Sequence, residues 1–505
     1  MSSIAVNSVV KTRSGAVRGS IVDGVHVFKG IPYAAPPVGP YRLQPPQPVT
    51  PWSGVRDAIS FGPKPPQPLY PPDVSAILPE LASPGDDCLN LNIWTPDLGQ
   101  ARYPVMVWFP GSAFQYGTGA TTYYDGRHFA RDGVVCVTIN YRVGPEGFLC
   151  LGERDGNANR ALLDQIAALQ WVQENIAPFG GDPGNVTVFG ESGGAMSLGI
   201  LLSMPRAKGL FRRAICQSGA AHPVISVATA QRVGAILAEK LGVAATLEAL
   251  AKVPIEREVE AQIALSEELF AHPDPERWGA EVAVSMTPWQ PVLDGDVIPA
   301  RPIDGIVAGA GADIDVLVGT NRDEWRLFLA SSGMIDQVTD EALAGTVAAY
   351  GLPVEATLAG YRALRPDASP GDLLAALQGD WWVRIPALRM ADARAAYATS
   401  LASTYMYEFA WRTPQFNGHL GACHALEIPF VFDTLGYGTQ TLCGNEPPQG
   451  LADTMHAAWV AFATGGDPCW PKYDSHRRAT MRFDTTSAVV DDPLAAERAL
   501  WEGVR

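Results

Sequence analysis

This chain of 505 residues lacks the features that define several protein classes. No apolar run approaches the roughly 18 residues that a membrane-spanning helix requires. The seven cysteines include no CxxC pair, which argues against a disulfide framework and against a zinc cluster. The first residues contain no basic stretch followed by a long apolar segment. We therefore expect a cytoplasmic protein without a secretory signal and with no membrane partner.

Basic residues are scarce as well, with 37 Lys and Arg against 53 Asp and Glu and a formal net charge of −16. This balance disfavours nucleic acid and anionic membrane surfaces as partners. A hydrophobic share of 47% is sufficient for a large core, and no Ser/Gly-rich linker or long internal repeat divides the chain. We expect one domain over residues 1–505, present as a monomer or a small homo-oligomer.

Apolar runs of β type recur along the chain, at residues 105–109, 134–139, 186–189, 315–319 and 404–409. Runs that are apolar throughout predict strands covered on both faces. Residues 161–176 and 230–242 repeat apolar side chains with helical spacing. This alternation predicts an α/β sheet with helices on both faces. Two Pro-rich stretches, 31–52 and 62–72, are predicted to be surface loops, because proline lacks the amide donor that a central strand needs.

Residues 186–201, VTVFGESGGAMSLGIL, read as an apolar strand, a Gly-rich turn and an apolar helix. Within them, residues 190–194 fit the G-x-S-x-G nucleophile elbow, whose glycines let strand and helix approach closely while the serine projects above the sheet. The alternative is an ordinary turn in which Ser192 caps the helix. The flanking strand and helix favour the elbow, so Ser192 is a candidate nucleophile.

A serine nucleophile needs a base, and the base needs an acid that orients it. With a nucleophile elbow the chain order is nucleophile, acid, histidine. This order selects Asp323 or Glu324, which follow a predicted strand, and then His424. The acidic pair could instead be exposed charge in a loop. His424 beside Cys423 could instead be a metal ligand, although no third ligand follows at metal spacing.

Further motifs extend along the chain: GIPYAAPPVGPYRLQPP, DDCLNLNIWTP, PVMVWFPGSAF, NYRVGPEGFL, GLFRRAICQSGAA, GTNRDEW and HALEIPFVF. With the elbow, they make almost the whole chain resemble the type-B carboxylesterases, which include bacterial p-nitrobenzyl esterases and, more distantly, the cholinesterases. The resemblance implies an α/β-hydrolase fold with a large, mostly parallel sheet and long insertions. It implies no metal and no organic cofactor. It assigns Ser192 as nucleophile, Glu324 rather than Asp323 as acid, and His424 as base.

The oxyanion loop departs from the family pattern. Relatives usually have His-Gly-Gly-Gly-Phe or His-Gly-Gly-Ala-Phe, where this chain has Pro-Gly-Ser-Ala-Phe at residues 110–114. The resemblance implies backbone donors at Ser112, Ala113 and Gly193, and these amides are unaffected by the change of side chain. We expect the Ser112 side chain either to narrow the acyl side of the pocket or to add a hydrogen bond to a polar substrate.

Other positions carry both a functional and a structural interpretation. The resemblance puts Glu191 and Ser218 beside the triad, while Glu191 could simply be charge at a helix N-terminus and Ser218 part of a turn. It also makes Phe114, Trp381 and Trp382 candidate pocket walls, although large aromatic side chains are more often part of the core.

Two differences from relatives concern other residues of the family pattern. Secreted relatives pair the cysteine at Cys88 with one in a segment where this chain has Pro65. That bridge cannot form here, which fits a reducing compartment. The loop before Cys88 also lacks the tryptophan with which cholinesterases bind choline. The sequence therefore gives no support for a quaternary ammonium substrate.

These observations predict a serine hydrolase that acts on small to medium, uncharged carboxylic esters through a covalent acyl-enzyme, with a small-molecule ester as its partner. One alternative is a related hydrolase for carbamates, amides or a specialised xenobiotic ester, because the same site serves several leaving groups. The other is a catalytically inactive, cholinesterase-like binding module. Such modules typically lose the serine or the histidine, and this chain retains both.

Overall fold

A 13-stranded mixed sheet organises the part of the chain that the computed structural model describes, which is residues 5–78, 83–99, 102–111, 113–152, 158–396 and 402–504. The strands of this sheet and of a second, two-stranded sheet are β1 (Ala5–Lys11), β2 (Ala16–Val22), β3 (Val25–Pro32), β4 (Val55–Asp57), β5 (Asn90–Thr95), β6 (Tyr103–Phe109), β7 (Val135–Ile139), β8 (Gly181–Glu191), β9 (Arg213–Gln217), β10 (Ile225–Ser226), β11 (Val292–Leu293), β12 (Asp315–Asn321), β13 (Thr404–Phe409), β14 (Ala479–Phe483) and β15 (Ala488–Asp491).

The helices that cover these sheets are α1 (Pro72–Ser75), α2 (Arg127–Arg131), α3 (Gly144–Phe148), α4 (Arg160–Asn175), α5 (Gly193–Leu201), α6 (Val227–Leu241), α7 (Leu247–Leu250), α8 (Ile255–Ala271), α9 (Pro275–Trp278), α10 (Ala280–Ser285), α11 (Pro302–Val307), α12 (Arg326–Ser331), α13 (Asp340–Ala349), α14 (Val354–Leu364), α15 (Pro370–Gly379), α16 (Ile385–Ala395), α17 (Ile428–Val431), α18 (Gln440–Cys443), α19 (Gln449–Gly465) and α20 (Ala495–Ala499).

The large sheet has the strand order β1-β2-β3-β5-β7-β6-β8-β9-β12-β13-β14-β15, and β4 pairs with β2. From β7 to β14 in this order every neighbouring pair is parallel. Antiparallel strands extend the sheet at both ends. The carboxyl ends of the parallel strands lie at one edge, where loops of α/β sheets form binding sites. The predicted α/β fold with a large, mostly parallel central sheet is confirmed.

Side chains of the central strands alternate between two apolar cores on opposite faces of the sheet. In β6, Val105, Val107 and Phe109 belong to one core, while Met106 and Trp108 belong to the other, and all five are fully buried. The first core also contains apolar residues of α4 and α6, and the second contains those of α19. The prediction that the apolar runs are strands covered on both faces is confirmed.

The helix predicted near residues 230–242 is α6, and its ends follow local rules. The Ser226 hydroxyl accepts a hydrogen bond from the Thr229 amide and caps its start. Gly242 ends it in the left-handed conformation, with φ of 67°. Among the described residues no single helix is long and apolar enough to cross a membrane, although α13 and α14 meet that criterion as a pair bent by 117°.

The two Pro-rich stretches are mostly irregular, as predicted, but they do not lie wholly at the surface. Tyr33 and Gln67 are buried. The Tyr33 hydroxyl donates to the Asn140 carbonyl at 2.6 Å, and the Gln67 side chain exchanges hydrogen bonds with the backbone of Gly117. These loops fold over the edge of the sheet, and their buried polar groups are satisfied by neighbouring loops.

Candidate active site

The site begins at the turn between β8 and α5, where Ser192 has φ of 53° and ψ of −124°. A positive φ is strained for a residue with a side chain and persists only where the surroundings impose it. Here the Ser192 amide donates to the Gln217 carbonyl at 2.9 Å, and the Ser192 carbonyl accepts from the Met196 amide at 2.8 Å. The turn has the geometry of a nucleophile elbow rather than of a helix cap: the Ser192 side chain accepts no capping hydrogen bond.

Close backbone contacts explain the glycines of this turn. A Cβ atom at Gly194 would lie 2.0 Å from the Phe109 carbonyl oxygen, and one at Gly190 would lie 2.8 Å from the same atom. On the facing loop, a Cβ atom at Gly111 would lie 2.5 Å from the Glu191 carbonyl oxygen. The elbow and the loop after β6 therefore approach each other so closely that side chains are excluded from all three positions.

His424 and Glu324 meet as the resemblance implied. The His424 Nδ1 atom lies 2.5 Å from Glu324 Oε2, and the His424 amide donates to the Glu324 carbonyl at 3.1 Å. The other carboxylate oxygen of Glu324 accepts from the Asn321 amide at 2.7 Å, which fixes the acid at the end of β12. The neighbouring Asp323 instead accepts from the Ala422 amide at 2.9 Å. Of the two adjacent acids, Glu324 is the one that orients the imidazole.

The second ring nitrogen of His424 faces Glu191. The distance from His424 Nε2 to Glu191 Oε1 is 3.0 Å. Among the described residues Glu191 Oε1 has no well-aligned hydrogen-bond donor, so the contact is electrostatic rather than a formed hydrogen bond. The hydrogen bonds of the described residues include none between Ser192 Oγ and His424. Both groups line the same cavity, and catalytic hydrogen bonds often tighten only when substrate binds.

Two carboxylates beside one imidazole alter its protonation. Burial alone lowers the pKa of His424, but Glu191 and Glu324 outweigh burial and hold that pKa well above its ordinary value. The pKa of Glu191 is raised by its own burial, and the nearby His424 opposes this rise. The imidazole therefore keeps a proton to higher pH than a histidine in water.

Two of the three residues predicted to supply oxyanion-hole amides, Ala113 and Gly193, lie among the described residues. Ser112 lies outside the described residues. Ala113 and Phe114 both have positive φ, 52° and 62°, and a Cβ atom built on Gly193 would lie 3.4 Å from the Ala113 amide nitrogen. The loop after β6 and the first residue of α5 thus bring backbone amides to the same end of the cavity that Ser192 lines.

A third buried carboxylate, Glu427, lies behind these groups and was missed by the sequence reasoning. Gln217 donates to one of its oxygens at 3.0 Å and Asn321 to the other at 2.6 Å. Burial, with smaller contributions from Glu191 and Glu324, raises the pKa of Glu427 to about 8. The segment HALE gave no local signal for this carboxylate, because Ala425 has φ of 63° and His424 and Glu427 therefore do not share a regular helical turn.

Ser218, the other residue expected beside the triad, follows the strand partner of Glu191. Gln217 pairs with Glu191 across β8 and β9. Ser218 is fully buried with φ of 51°, and its amide donates to the Gly319 carbonyl at 2.9 Å. Its hydroxyl has no hydrogen-bond partner among the described residues. Ser218 therefore lies directly after the strand beside the elbow, and among the described residues it has no hydrogen bond to Ser192, His424 or Glu324.

A cavity of about 420 Å³ opens over Ser192 and His424. Its lining combines many aromatic and aliphatic side chains with a few polar ones, and includes Phe114, Tyr124, Met196, Trp325, Phe328 and Trp382. Two of the three predicted wall residues, Phe114 and Trp382, are in this lining. Trp381 stands behind Trp382 and stacks on Tyr350 with ring centroids 4.5 Å apart, outside the lining found within the described residues.

A nucleophile elbow on a mostly parallel, two-sided sheet defines an α/β-hydrolase. A family model described as the carboxylesterase family matches residues 6–501, and the chain belongs to this family. The chain is 37% identical to the para-nitrobenzyl esterase of Bacillus subtilis (strain 168), over 97% of this chain and 98% of that protein. It is 35% identical to the phenmedipham hydrolase of Pseudarthrobacter oxydans, over 96% and 97% of the two chains.

The solved structures agree with this assignment. The crystal structure of a Geobacillus stearothermophilus carboxylesterase at pH 6.2 superposes with a TM-score of 0.86 at 38% identity, and the match covers 98% of this chain and all of the other. Family and relatives together make the protein a carboxylic ester hydrolase.

Proposed function

We propose that the protein hydrolyses small to medium, uncharged carboxylic esters through Ser192, His424 and Glu324, with a covalent acyl-enzyme intermediate. The observation that carries this proposal is the placement of Ser192, on a strained elbow, in the cavity that His424 also lines. The bond from His424 Nδ1 to Glu324 fixes the ring so that Nε2 is the atom available for proton transfer.

In the first half-reaction, Ser192 Oγ attacks the ester carbonyl carbon while its proton passes to His424 Nε2. The tetrahedral intermediate then collapses, the bond to the alcohol breaks, and Nε2 returns the proton to the leaving alcohol oxygen. In the second half-reaction, water attacks the acyl group and His424 again takes and returns one proton, which frees the acid and Ser192. Glu324 stabilises the imidazolium that forms in each half-reaction.

Charge on the carbonyl oxygen is to be stabilised by backbone amides of Ser112, Ala113 and Gly193. A single donor of this kind contributes roughly 10²- to 10³-fold to rate. The positive φ angles of Ala113 and Phe114 and the closeness of Gly193 to this loop support the assignment of Ala113 and Gly193. The two expectations for the Ser112 side chain stay predictions.

The substrate class follows from the cavity. Its volume of about 420 Å³ lies near the lower end of the range for small-molecule pockets. Aromatic side chains such as Tyr124, Phe328 and Trp382 supply much of the lining. The buried carboxylate of Glu191 disfavours an anionic acyl group close to His424. Uncharged esters with modest acyl and alcohol groups fit this environment best.

The experiment that tests this function is burst-phase hydrolysis of p-nitrophenyl acetate and butyrate. We expect a burst of p-nitrophenol equal to the enzyme concentration, followed by slower turnover, and we expect Ser192→Ala to abolish both. Ser203→Ala is the matched control, because Ser203 follows the same helix and, among the described residues, its hydroxyl bonds only the Ile200 carbonyl. Loss of activity in the control variant, or activity retained by Ser192→Ala, would contradict the proposal.

A second candidate is hydrolysis of a carbamate, an amide or a specialised xenobiotic ester by the same residues. A relative of similar identity is a phenmedipham hydrolase, which favours testing this alternative. It predicts faster turnover of an aryl carbamate than of p-nitrophenyl acetate, still with loss in Ser192→Ala.

We also propose a cytoplasmic location. Cys88, whose counterpart is paired in secreted relatives, is a buried free thiol, and burial raises its pKa above the ordinary thiol value. Such a thiol is compatible with a reducing compartment.

A further inference from the structure

A five-residue π-helix, Asp380–Arg384, interrupts the helical segment between α15 and α16. Short π-helical turns are rare and occur frequently at functional sites, because they change the direction in which side chains project. Trp382 is the central residue of this turn and lines the cavity over Ser192, whereas its neighbour Trp381 packs behind it. The π-helix therefore determines which of two adjacent tryptophans reaches the cavity.

Trp382 is part of a continuous row of aromatic rings that ends at the catalytic imidazole. Its ring is nearly parallel to that of Trp325, with centroids 5.7 Å apart and an interplanar angle of 12°. The ring centroids of Trp325 and Phe328 are 4.8 Å apart, and those of Phe328 and His424 are 5.4 Å apart. One face of Trp382 is thus covered by Trp325, so the indole acts as a rigid wall rather than as a free surface for stacking.

A buried network of charges holds the π-helix from behind. Two nitrogens of Arg384 donate to the two carboxylate oxygens of Asp380 at 2.6 and 2.7 Å. Arg384 also lies 3.7 Å from Glu497 of α20, and Glu497 pairs with Arg365. The charged groups of Asp380, Arg384 and Glu497 are largely buried, whereas that of Arg365 is partly exposed. A bidentate pair of this kind has a defined geometry as well as a favourable energy.

The same network contains two hydrogen bonds that reach the end of the described chain. The Tyr361 hydroxyl donates to Asp380. The Trp501 indole nitrogen in turn donates to the Tyr361 hydroxyl at 2.9 Å. The segment from Ala495 to Trp501 therefore braces the π-helix although it contributes no residue to the cavity lining.

We propose that Trp382 sets the upper size limit of the esters that reach Ser192, and that Glu497 is a positioning residue that holds Trp382 through Arg384 and Asp380. The inference rests on the proposed function and specifies how the cavity selects among its substrates. Replacing the indole enlarges the cavity next to the Trp325 ring. Loosening the network lets the indole move aside without removing it.

The test compares kcat/KM for p-nitrophenyl acetate and for p-nitrophenyl pivalate, whose acyl group is branched and bulky. We expect Trp382→Ala to raise the pivalate-to-acetate ratio by about tenfold, in line with the modest selectivity that apolar pockets achieve. Trp381→Phe is the matched control, because it keeps an aromatic ring packed behind Trp382 and on Tyr350, and it should leave the ratio within about twofold of wild type. Trp382→Leu is the second variant, in case the alanine variant does not fold, and should change the ratio in the same direction.

The role of Glu497 is tested with Glu497→Gln, alone and combined with Trp382→Ala. Alone, it should raise the ratio roughly two- to tenfold with little change in kcat for acetate. In the Trp382→Ala background it should change the ratio no further, since the indole it positions is absent. Asp296→Asn, which removes the exposed pair with Arg206, controls for loss of an ion pair in general.

The outcomes separate this inference from the function on which it rests. Acetate turnover with an unchanged ratio in Trp382→Ala and Trp382→Leu would overturn the size limit and leave the esterase proposal intact. An equal effect of Glu497→Gln in both backgrounds would overturn the positioning role. Absence of burst and turnover with both esters in the folded wild type would overturn the proposed function and this inference with it.

Discussion

Two buried clusters of charge lie near the cavity, and their composition differs. Around His424 three carboxylates, Glu191, Glu324 and Glu427, share a small volume with one imidazole. Behind Trp382, the carboxylates of Asp380 and Glu497 are matched by the guanidinium groups of Arg384 and Arg365. The first cluster has an excess of acid, and the second is balanced.

This difference in balance has chemical consequences. In the first cluster Glu191 and Glu324 hold the pKa of His424 well above its ordinary value, and burial, with smaller contributions from the same two acids, raises that of Glu427 to about 8. In the second, burial lowers the pKa of Arg384, but Asp380 and Glu497 outweigh burial and hold that pKa above its ordinary value. The guanidinium group of Arg384 therefore keeps its charge. An unbalanced cluster is suited to chemistry, and a balanced one to holding geometry.

The largest expected effect follows from replacing Glu324, the acid of the first cluster that bonds His424 Nδ1. Glu324→Gln should lower kcat by roughly 10³- to 10⁴-fold, because the amide no longer stabilises the imidazolium or selects its tautomer. We expect this variant to fold, because the first cluster keeps its two other carboxylates, Glu191 and Glu427. Asp323→Asn is the matched control and should stay within a few-fold of wild-type kcat. Comparable losses in the two variants, measured by steady-state kinetics, would show that the acid has been wrongly assigned.

Changes to the balanced cluster should alter the stability of the fold rather than the rate of the reaction. Arg384→Met leaves Asp380 buried without its main counter-charge, and we expect the free energy of unfolding to fall by about 3–5 kcal/mol. Denaturation in urea measures this change. The double variant Asp380→Asn with Arg384→Met should recover part of the loss, because no unpaired charge is left. If the single variant is as stable as wild type, the network contributes little to holding the π-helix.

The smallest expected effect is a change in the pH dependence of kcat/KM. In the proposed mechanism His424 acts as a base only when it is neutral, so its raised pKa should place the acidic limb of kcat/KM at higher pH than an ordinary histidine would. Glu191→Gln removes one of the two charges that raise it. The limb should therefore move to lower pH, by about one pH unit or more.

Glu174→Gln provides the control for this pH profile, because Glu174 pairs with Arg13 at the surface. Its profile should superpose on that of wild type. A limb that stays in place in Glu191→Gln would mean that Glu191 does not set the protonation of His424.

Much of this architecture was predictable because it rests on local patterns. The apolar runs identified β6, β7, β8, β12 and β13, since both faces of these strands are buried. The glycines at residues 190 and 194 signalled a close approach of backbone, which the contacts with Phe109 confirm. The family resemblance also brought together residues as distant in sequence as Glu324 and His424, which are in contact.

Features that depend on long-range packing could not be predicted in this way. Adjacent side chains on a helix point in different directions. Which of Trp381 and Trp382 faces the cavity depends on the π-helix, and the sequence did not predict that π-helix. The contact of His424 Nε2 with Glu191 likewise requires the relative position of β8 and the loop before α17. Glu427 was missed because nothing in its own segment marks it as buried next to two other acids.

The central claim, that Ser192 is the residue that carries the acyl group, can be tested directly by mass spectrometry. Diethyl p-nitrophenyl phosphate transfers its phosphoryl group to an activated serine with release of p-nitrophenol. We predict one added diethylphosphoryl group per chain, located on the peptide that contains Ser192 and absent from Ser192→Ala. A label on another residue, or an unlabelled wild-type protein that still hydrolyses p-nitrophenyl acetate, would contradict the account.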